Sequence, residues 1–127
     1  MPRMISFSMT TPQFIAGTKD VTRRMGWRML KAGDELMAVE KAMGLGKGGK
    51  VKRLGMIRVA DVRREPLNRM CADLAYGEKE TTREGFPGRD PTDFVLWFAD
   101  SHDCEPDAIV TRIEFEKISV VAPEPRG

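Results

Sequence analysis

ELMAVEKAMGLGKGGKVKRLGMIRVADVRRE, residues 35–65, is the stretch whose reading decides the fold. Its glycine-rich centre satisfies two phosphate-binding patterns at once, G-x-G-x-x-G at Gly44, Gly46 and Gly49, and G-x-x-x-x-G-K from Gly44 to Lys50. A phosphate cradle needs a strand before the loop and a helix N-terminus after it. Upstream, Ala32-Gly33-Asp34 marks a turn and Glu35 to Lys41 reads as a strand. Downstream, Leu54, Met56, Ile57, Val59 and Val62 form a β-rich run whose alternation breaks around Gly55, where a bulge fits. The glycines therefore join two strands as the tip of a hairpin. Val51 also stands where a P-loop requires a magnesium-binding Ser or Thr. No nucleoside triphosphate is expected to bind here.

Working outward, MISFS at Met4–Ser8 suits a short strand, and Thr11-Pro12 opens a helix with Thr11 as N-cap, Phe14 and Ile15 on its buried side and Gly17 at its end. TKDVTRR reads as a polar run, and Pro66–Tyr76 as an irregular helix. Asp90-Pro91 then caps the clearest helix of the chain. Its stripe of Phe94, Val95, Trp97 and Phe98 has the spacing of a core-facing surface. VTRIEFEKI alternates as a closing strand, and residues 119–127 read as a loose tail. The order strand, short helix, strands, helices, strand specifies a single α+β domain over residues 1–127 whose few strands must curl to protect their edges.

The chain has 127 residues, 41% of them hydrophobic, which is enough for one core and too few for two comfortable ones. No apolar run approaches the length of a membrane helix and no secretory signal opens the chain, so a cytoplasmic protein without membrane contact is expected. Cys71 and Cys104 lack CxxC spacing and read as two reduced thiols. The formal charge of +2 conceals a segregation. Residues 1–64 carry 14 Lys/Arg and 5 Asp/Glu, whereas residues 65–108 carry 4 and 11. A basic segment of this kind either meets a polyanion or folds against the acidic one. Lys41, Lys47, Lys50, Lys52 and Arg53 cluster at the hairpin tip, where they could touch a nucleic-acid backbone without reading its sequence, or simply be solvated.

His102, the one histidine, lies with Asp100, Asp103 and Cys104 at a helix end. No second cluster completes a metal site, and a polar C-terminal cap favoured by the helix dipole is the better reading. No metal or cofactor is expected. GTKDVTRR, Gly17 to Arg24, holds an amine, a hydroxyl and a guanidinium at Lys19, Thr22 and Arg24. These can act as base, nucleophile and anion-binding group if the chain brings them together, a point that spacing leaves open.

The run GTKDVTRRMGWRMLKAGDELMAVEKAMG, followed by RLGMIRVADVRREPL, REGFPG with a PTDFV helix and VTRIEFEKI, resembles the ASCH domain, a relative of the PUA domain. The resemblance covers nearly the whole chain. It implies a small PUA-like β-barrel with flanking helices and a cleft beside G-x-K-x-x-T-x-R. It also implies binding of RNA or a modified nucleoside, as in ASCH proteins of phage and bacterial genomes. One branch of the family hydrolyses the acetyl amide of N4-acetylcytidine. Its pattern places Lys19, Thr22 and Glu84 at the catalytic positions and Arg24, together with Arg23 and Trp27, against the ligand. In that chemistry a neutral Lys19 takes the proton of Thr22, whose oxygen attacks the acyl carbonyl, while Glu84 orients the amine or shuttles the proton. Glu84 also has a purely structural alternative, held at a helix or turn by Arg83 or Lys79. The chain departs from the small amidohydrolases in its length, its glycine- and lysine-rich hairpin and the acidic helix after Glu84-Gly85-Phe86. The oligomeric state is not set by the sequence.

Overall fold

The computed structural model describes residues 3–40 and 52–120. The elements are β1 (Arg3–Ser6), α1 (Thr11–Ala16), β2 (Val21–Arg24), β3 (Glu35–Val39), β4 (Arg53–Pro66), α2 (Arg69–Ala72), α3 (Leu74–Glu84), α4 (Pro91–Ser101) and β5 (Ile109–Val120). The five strands form one curled, half-barrel sheet in the order β1-β3-β4-β5-β2. β1 runs parallel to β3, and every other neighbouring pair is antiparallel.

β3 and β4 pair from Glu35↔Arg58 to Val39↔Arg53, so the glycine-rich segment does connect two antiparallel strands, although residues 41–51 lie outside the described part. The pairing slips by one residue where Ala38 faces Gly55 and Val39 faces Arg53, leaving Leu54 as the extra residue beside Gly55. A further irregularity between Val59 and Asp61 lets the fourteen-residue β4 bend while staying paired to β5.

Several local expectations shift. Thr10 is the N-cap residue of α1 and Thr11 lies inside the helix. Ile15 is exposed while Phe14 is fully buried. The polar run contains a strand, because Val21–Arg24 closes the sheet edge against β5. The expected irregular helix at Pro66–Tyr76 is divided between the end of β4, the single turn of α2 and the start of α3. β5 continues through Val120, past the expected start of the tail, and residues 121–127 are outside the described part.

α4 begins as its sequence indicates: the Asp90 carboxylate accepts from the Thr92 amide at 2.7 Å, with Pro91 in the first turn. Phe94, Val95 and Phe98 bury against Leu67, Met70 and Val110 in one apolar cluster. A second cluster fills the curl of the sheet with Phe7, Phe14, Leu36, Ile57, Ile113 and Phe115 among its members. Helix α3 approaches α2 and α4 closely at Gly77, where an added Cβ would lie 2.1 Å from the Met70 carbonyl oxygen.

Strand register divides the arginines between the two faces of the sheet. Arg23, Arg112 and Arg63 stand in one row across β2, β5 and β4. Like charges directly opposite one another repel, and this row requires anions. α3 supplies Glu80 and Glu84, and β4 supplies Glu65. The alternate residues Thr22, Ile113 and Val62, and then Arg24, Thr111 and Arg64, make the rows of the other face.

Candidate functional site

The segment from Gly17 to Arg24 is pinned to the end of α3 by two sets of bonds. Arg83 grips Asp20 through two hydrogen bonds, Nε to Oδ1 at 2.9 Å and Nη2 to Oδ2 at 2.8 Å, and the Asp20 amide donates to the Arg83 carbonyl. At the same place Gly85 takes the left-handed conformation, φ 107°, that ends α3. The residues of the two distant motifs thereby meet, even though 65 positions separate Lys19 from Glu84.

Lys19 is 4% exposed, and its Nζ donates to the Val21 carbonyl (2.9 Å), the Glu84 carbonyl (2.7 Å) and Glu84 Oε1 (3.1 Å). Three acceptors match the three protons of an ammonium group. Burial lowers the Lys19 pKa from its ordinary value, and the adjacent Glu84 carboxylate opposes that shift. A neutral amine would turn its lone pair toward one of these oxygens, so the resting arrangement suits the charged form.

Glu84 is held by Lys19 and Arg23, with Arg23 Nη1 donating to Oε2 at 3.1 Å. The alternative anchors Arg83 and Lys79 do not hold its carboxylate: Arg83 instead pairs with Asp20 and Glu114. Arg23 has no exposed side-chain surface and also reaches Glu80 at 2.6 Å and Glu65 at 3.3 Å. Glu80 in turn accepts from Arg112 through Nε and Nη2. The cationic first half of the chain thus folds against the acidic second half within the interior, answering for these residues the choice left open by charge segregation.

A cleft of about 200 Å³ opens over this lattice. Lys19, Thr22, Arg23, Arg24 and Glu84 all line it. Thr22 is buried, and its hydroxyl accepts from Arg24 Nε at 3.1 Å; no hydrogen bond joins Lys19 to Thr22 among the described residues. Arg24 also donates through Nη2 to the Ser6 carbonyl. Burial draws its pKa down to about 10, against the attraction of Glu84, and leaves the guanidinium charged at neutral pH. Arg24 also lies 5.3 Å from the centre of the Phe7 ring.

Aromatic side chains line the same cleft. Phe86 and Trp97 meet edge to face at 6.0 Å, Phe94 and Phe98 continue the wall, and His102 stacks on Phe98 at 3.9 Å. His102 also serves as the C-cap residue of α4, its Nδ1 3.0 Å from the Phe98 carbonyl oxygen. Phe94, Phe98 and His102 recur every four residues, a helical spacing that carries this wall in the sequence, where it reads only as core and cap. The remaining rim, Ser6 to Thr10, comes from the β1–α1 junction and has no chemical signature in the sequence.

Trp27 does not line this cleft; it lines a second concavity with Arg28, Lys31 and Arg64. Arg23 reaches the cleft but spends its guanidinium on three glutamates, as a part of the floor. Of the expected nucleic-acid contacts, Lys47 and Lys50 lie outside the described residues. Lys52 pairs with Glu40 at 3.4 Å, and Arg53 opens β4. Among the described residues no group of three or more His, Cys, Asp or Glu could hold a metal ion, and no helix is long and apolar enough to cross a membrane. Cys71 and Cys104 are free.

No protein-family model matches the chain, and no curated protein matches it. Its fold is similar to that of protein EF3133 from Enterococcus faecalis V583, assigned to the family DUF984. The TM-score is 0.68 at 15% identity, over 100% of this chain and 86% of that one. It is also similar to the hypothetical protein PH0355, with a TM-score of 0.59 at 18% identity, over 92% of this chain and 97% of that one. At these identities the likeness extends to the fold alone.

Proposed function

We propose that the cleft binds the base of a nucleoside or of RNA, with Arg24 and Thr22 reading its polar edge and the Phe86–Trp97 wall packing against its ring. The observation that carries this reading is that buried polar groups, Lys19, Thr22 and Glu84 with Arg24 beside them, and the rings of Phe86, Phe94, Trp97 and Phe98 line one small cleft. Its volume of about 200 Å³ lies below the ~300–1,000 Å³ usual for drug-sized ligands and suits a single ring system. The ASCH resemblance, with its PUA-like barrel, supports the same class of ligand, and a curled half-barrel sheet is compatible with it.

Calorimetric titration with cytidine and N4-acetylcytidine tests the reading. Saturable binding is expected, weakened at least tenfold by Arg24→Ala, because a site built to hydrogen-bond its ligand loses it when one partner is removed. Absence of binding by every common nucleoside would refute it.

A second reading, an amidohydrolase acting on N4-acylated cytidine, has one observation in its favour: Lys19, Thr22 and Glu84 line a single cleft. In such a reaction the Thr22 oxygen would bond to the acyl carbon as Lys19 takes the hydroxyl proton. The C–N bond would then break as Lys19 returns that proton to the leaving amine, and water would release the acyl group. Lys19 would first have to lose a proton to solvent and exchange one of its three acceptors for the Thr22 hydroxyl, and for this reason binding is the reading preferred. Release of acetate from N4-acetylcytidine, abolished by Thr22→Ala, would reverse that preference.

A further inference from the structure

The second concavity has a different composition from the cleft. It has a volume of about 330 Å³ and is bounded by Trp27, Arg28 and Lys31 from the β2–β3 connection, by Asp61 and Arg64 of β4, and by Thr111 of β5. Arg28, Lys31 and Arg64 are exposed and have no ion-pair partner among the described residues. Most cations elsewhere on the sheet are neutralised: Arg58 lies between Glu35 and Glu116, Arg63 between Asp61 and Glu65, and Arg112 against Glu80. The acid in the concavity, Asp61, is turned to Arg63 (3.8 Å) and Arg112 (3.9 Å).

The walls are built rather than loose. Leu30 is buried in the core between Arg28 and Lys31, and Trp27 packs on the same cluster. Its backbone takes the left-handed region at φ 56°, uncommon for a residue with a side chain. The turn after Lys31 is tied to β4 by the Gly33 amide to the Val59 carbonyl and the Val59 amide to the Asp34 carbonyl, each 2.8 Å. Thr111 donates its hydroxyl to the Gly26 carbonyl, fixing the start of the connection to β5.

Strand register joins this concavity to the cleft. Arg24, Thr111 and Arg64 are direct partners across β2, β5 and β4. At an interstrand spacing of ~4.8 Å, Arg24 in the cleft and Arg64 in the concavity have Cα atoms about 10 Å apart. A stacked nucleic-acid strand advances ~3.4 Å per nucleotide, so about three nucleotides cover that distance, and fewer if the strand is extended.

We propose that Arg28, Lys31 and Arg64 form a phosphodiester-binding site that continues the cleft, so that the protein takes a single-stranded oligonucleotide with one base in the cleft and its flanking phosphates on these three cations. The inference rests on the nucleoside reading for the cleft end only. Point-charge contacts by Lys31 and forked contacts by Arg28 and Arg64 would hold the backbone without sequence preference.

The experiment compares cytidine, a tetracytidylate RNA and its deoxy counterpart by calorimetry at 50 and 200 mM salt. Wild-type protein and the combined Arg28→Ala, Lys31→Ala, Arg64→Ala variant are titrated in parallel, with folding checked by circular dichroism. The tetranucleotide is expected to bind wild type at least tenfold more tightly than cytidine. The log–log salt slope should fall by about 0.7 for each phosphate contact removed, about two units for the triple variant, while cytidine binding is unchanged. RNA preferred over DNA identifies a reader of the 2′-hydroxyl, and equal affinities a reader of phosphate alone. A tetranucleotide no tighter than cytidine, or an advantage that survives in the triple variant, overturns the second site and leaves the cleft reading intact. Oligonucleotide binding without cytidine binding, lost in the triple variant, overturns the cleft reading and retains the second site. Failure of both probes overturns both.

Discussion

Replacing Glu80 by Gln should remove a substantial part of the stability of the fold and change its response to acid. The Glu80 side chain is 1% exposed and neutralises two arginines on neighbouring strands, Arg23 at 2.6 Å and Arg112 through a pair of hydrogen bonds. Burial alone would raise its pKa; the hydrogen bond from Arg112 and the charge of Arg23 overcome that and bring it from 4.5 down to about 2. A carboxylate depressed in the folded state contributes stability that is fully present above its unfolded pKa and is lost as pH falls through its folded one. The window here runs from pH 4.5 down to about 2. At ~1.4 kcal/mol per unit the shift corresponds to at most about 3 kcal/mol. Leaving a buried guanidinium without its partner costs about 3–5 kcal/mol by independent reasoning, so the two routes agree in scale. Urea unfolding of wild type and Glu80→Gln, repeated from pH 7 to pH 2, measures both consequences. Glu80→Gln should be about 3 kcal/mol less stable at pH 7, and the difference should shrink toward pH 2 as wild type itself protonates. Glu78→Gln, an exposed neighbour on α3, should stay within ~0.5 kcal/mol. A Glu80→Gln loss below about 1 kcal/mol, or a difference from wild type independent of pH, would refute the view that this carboxylate holds α3 to the sheet.

Tyr76 is the only tyrosine, and burial together with its hydrogen bond to Glu65 pushes its pKa up to about 12. Spectrophotometric titration should therefore show phenolate forming near pH 12 in the folded protein and near 10 in denaturant; coincident curves would contradict the packing of Tyr76 on Glu65. Gly77→Ala places a methyl group 2.1 Å from the Met70 carbonyl oxygen and 2.8 Å from Pro91 Cβ, so it should lower the melting temperature sharply or prevent folding, as read by thermal circular dichroism. Asp90→Ala removes the cap of α4 and should cost about 1 kcal/mol in urea unfolding without altering the m-value.

How much was legible from the sequence depended on what each buried face is made of. α4 could be read at both ends, from Asp90-Pro91 at its start and His102 at its close, because its buried face is apolar and follows helical spacing. The pairing of β3 with β4 was legible for a similar reason: the runs on both sides of the glycines are rich in β-forming residues and read as strands. α3 was not legible as an eleven-residue helix, since its buried positions are Gly77, Glu80, Thr81 and Glu84, which have the composition of a solvated surface. β2 was hidden by the same effect, with Arg23 wholly buried in a strand that resembles a polar loop.

The sequence by itself determined the α+β class, the two strands on either side of the glycine-rich segment, and the helix that Asp90-Pro91 opens. Tertiary structure decided which charges neutralise one another, because a carboxylate and a guanidinium stabilise each other through distance and desolvation, neither of which is encoded locally. It brought Glu84 to Lys19, moved Trp27 from the cleft to a second concavity, and gave Lys19 three acceptors instead of the Thr22 hydroxyl. Those arrangements depend on strand register and on the angle at which α3 crosses the sheet, and both are set by contacts between residues far apart in the chain.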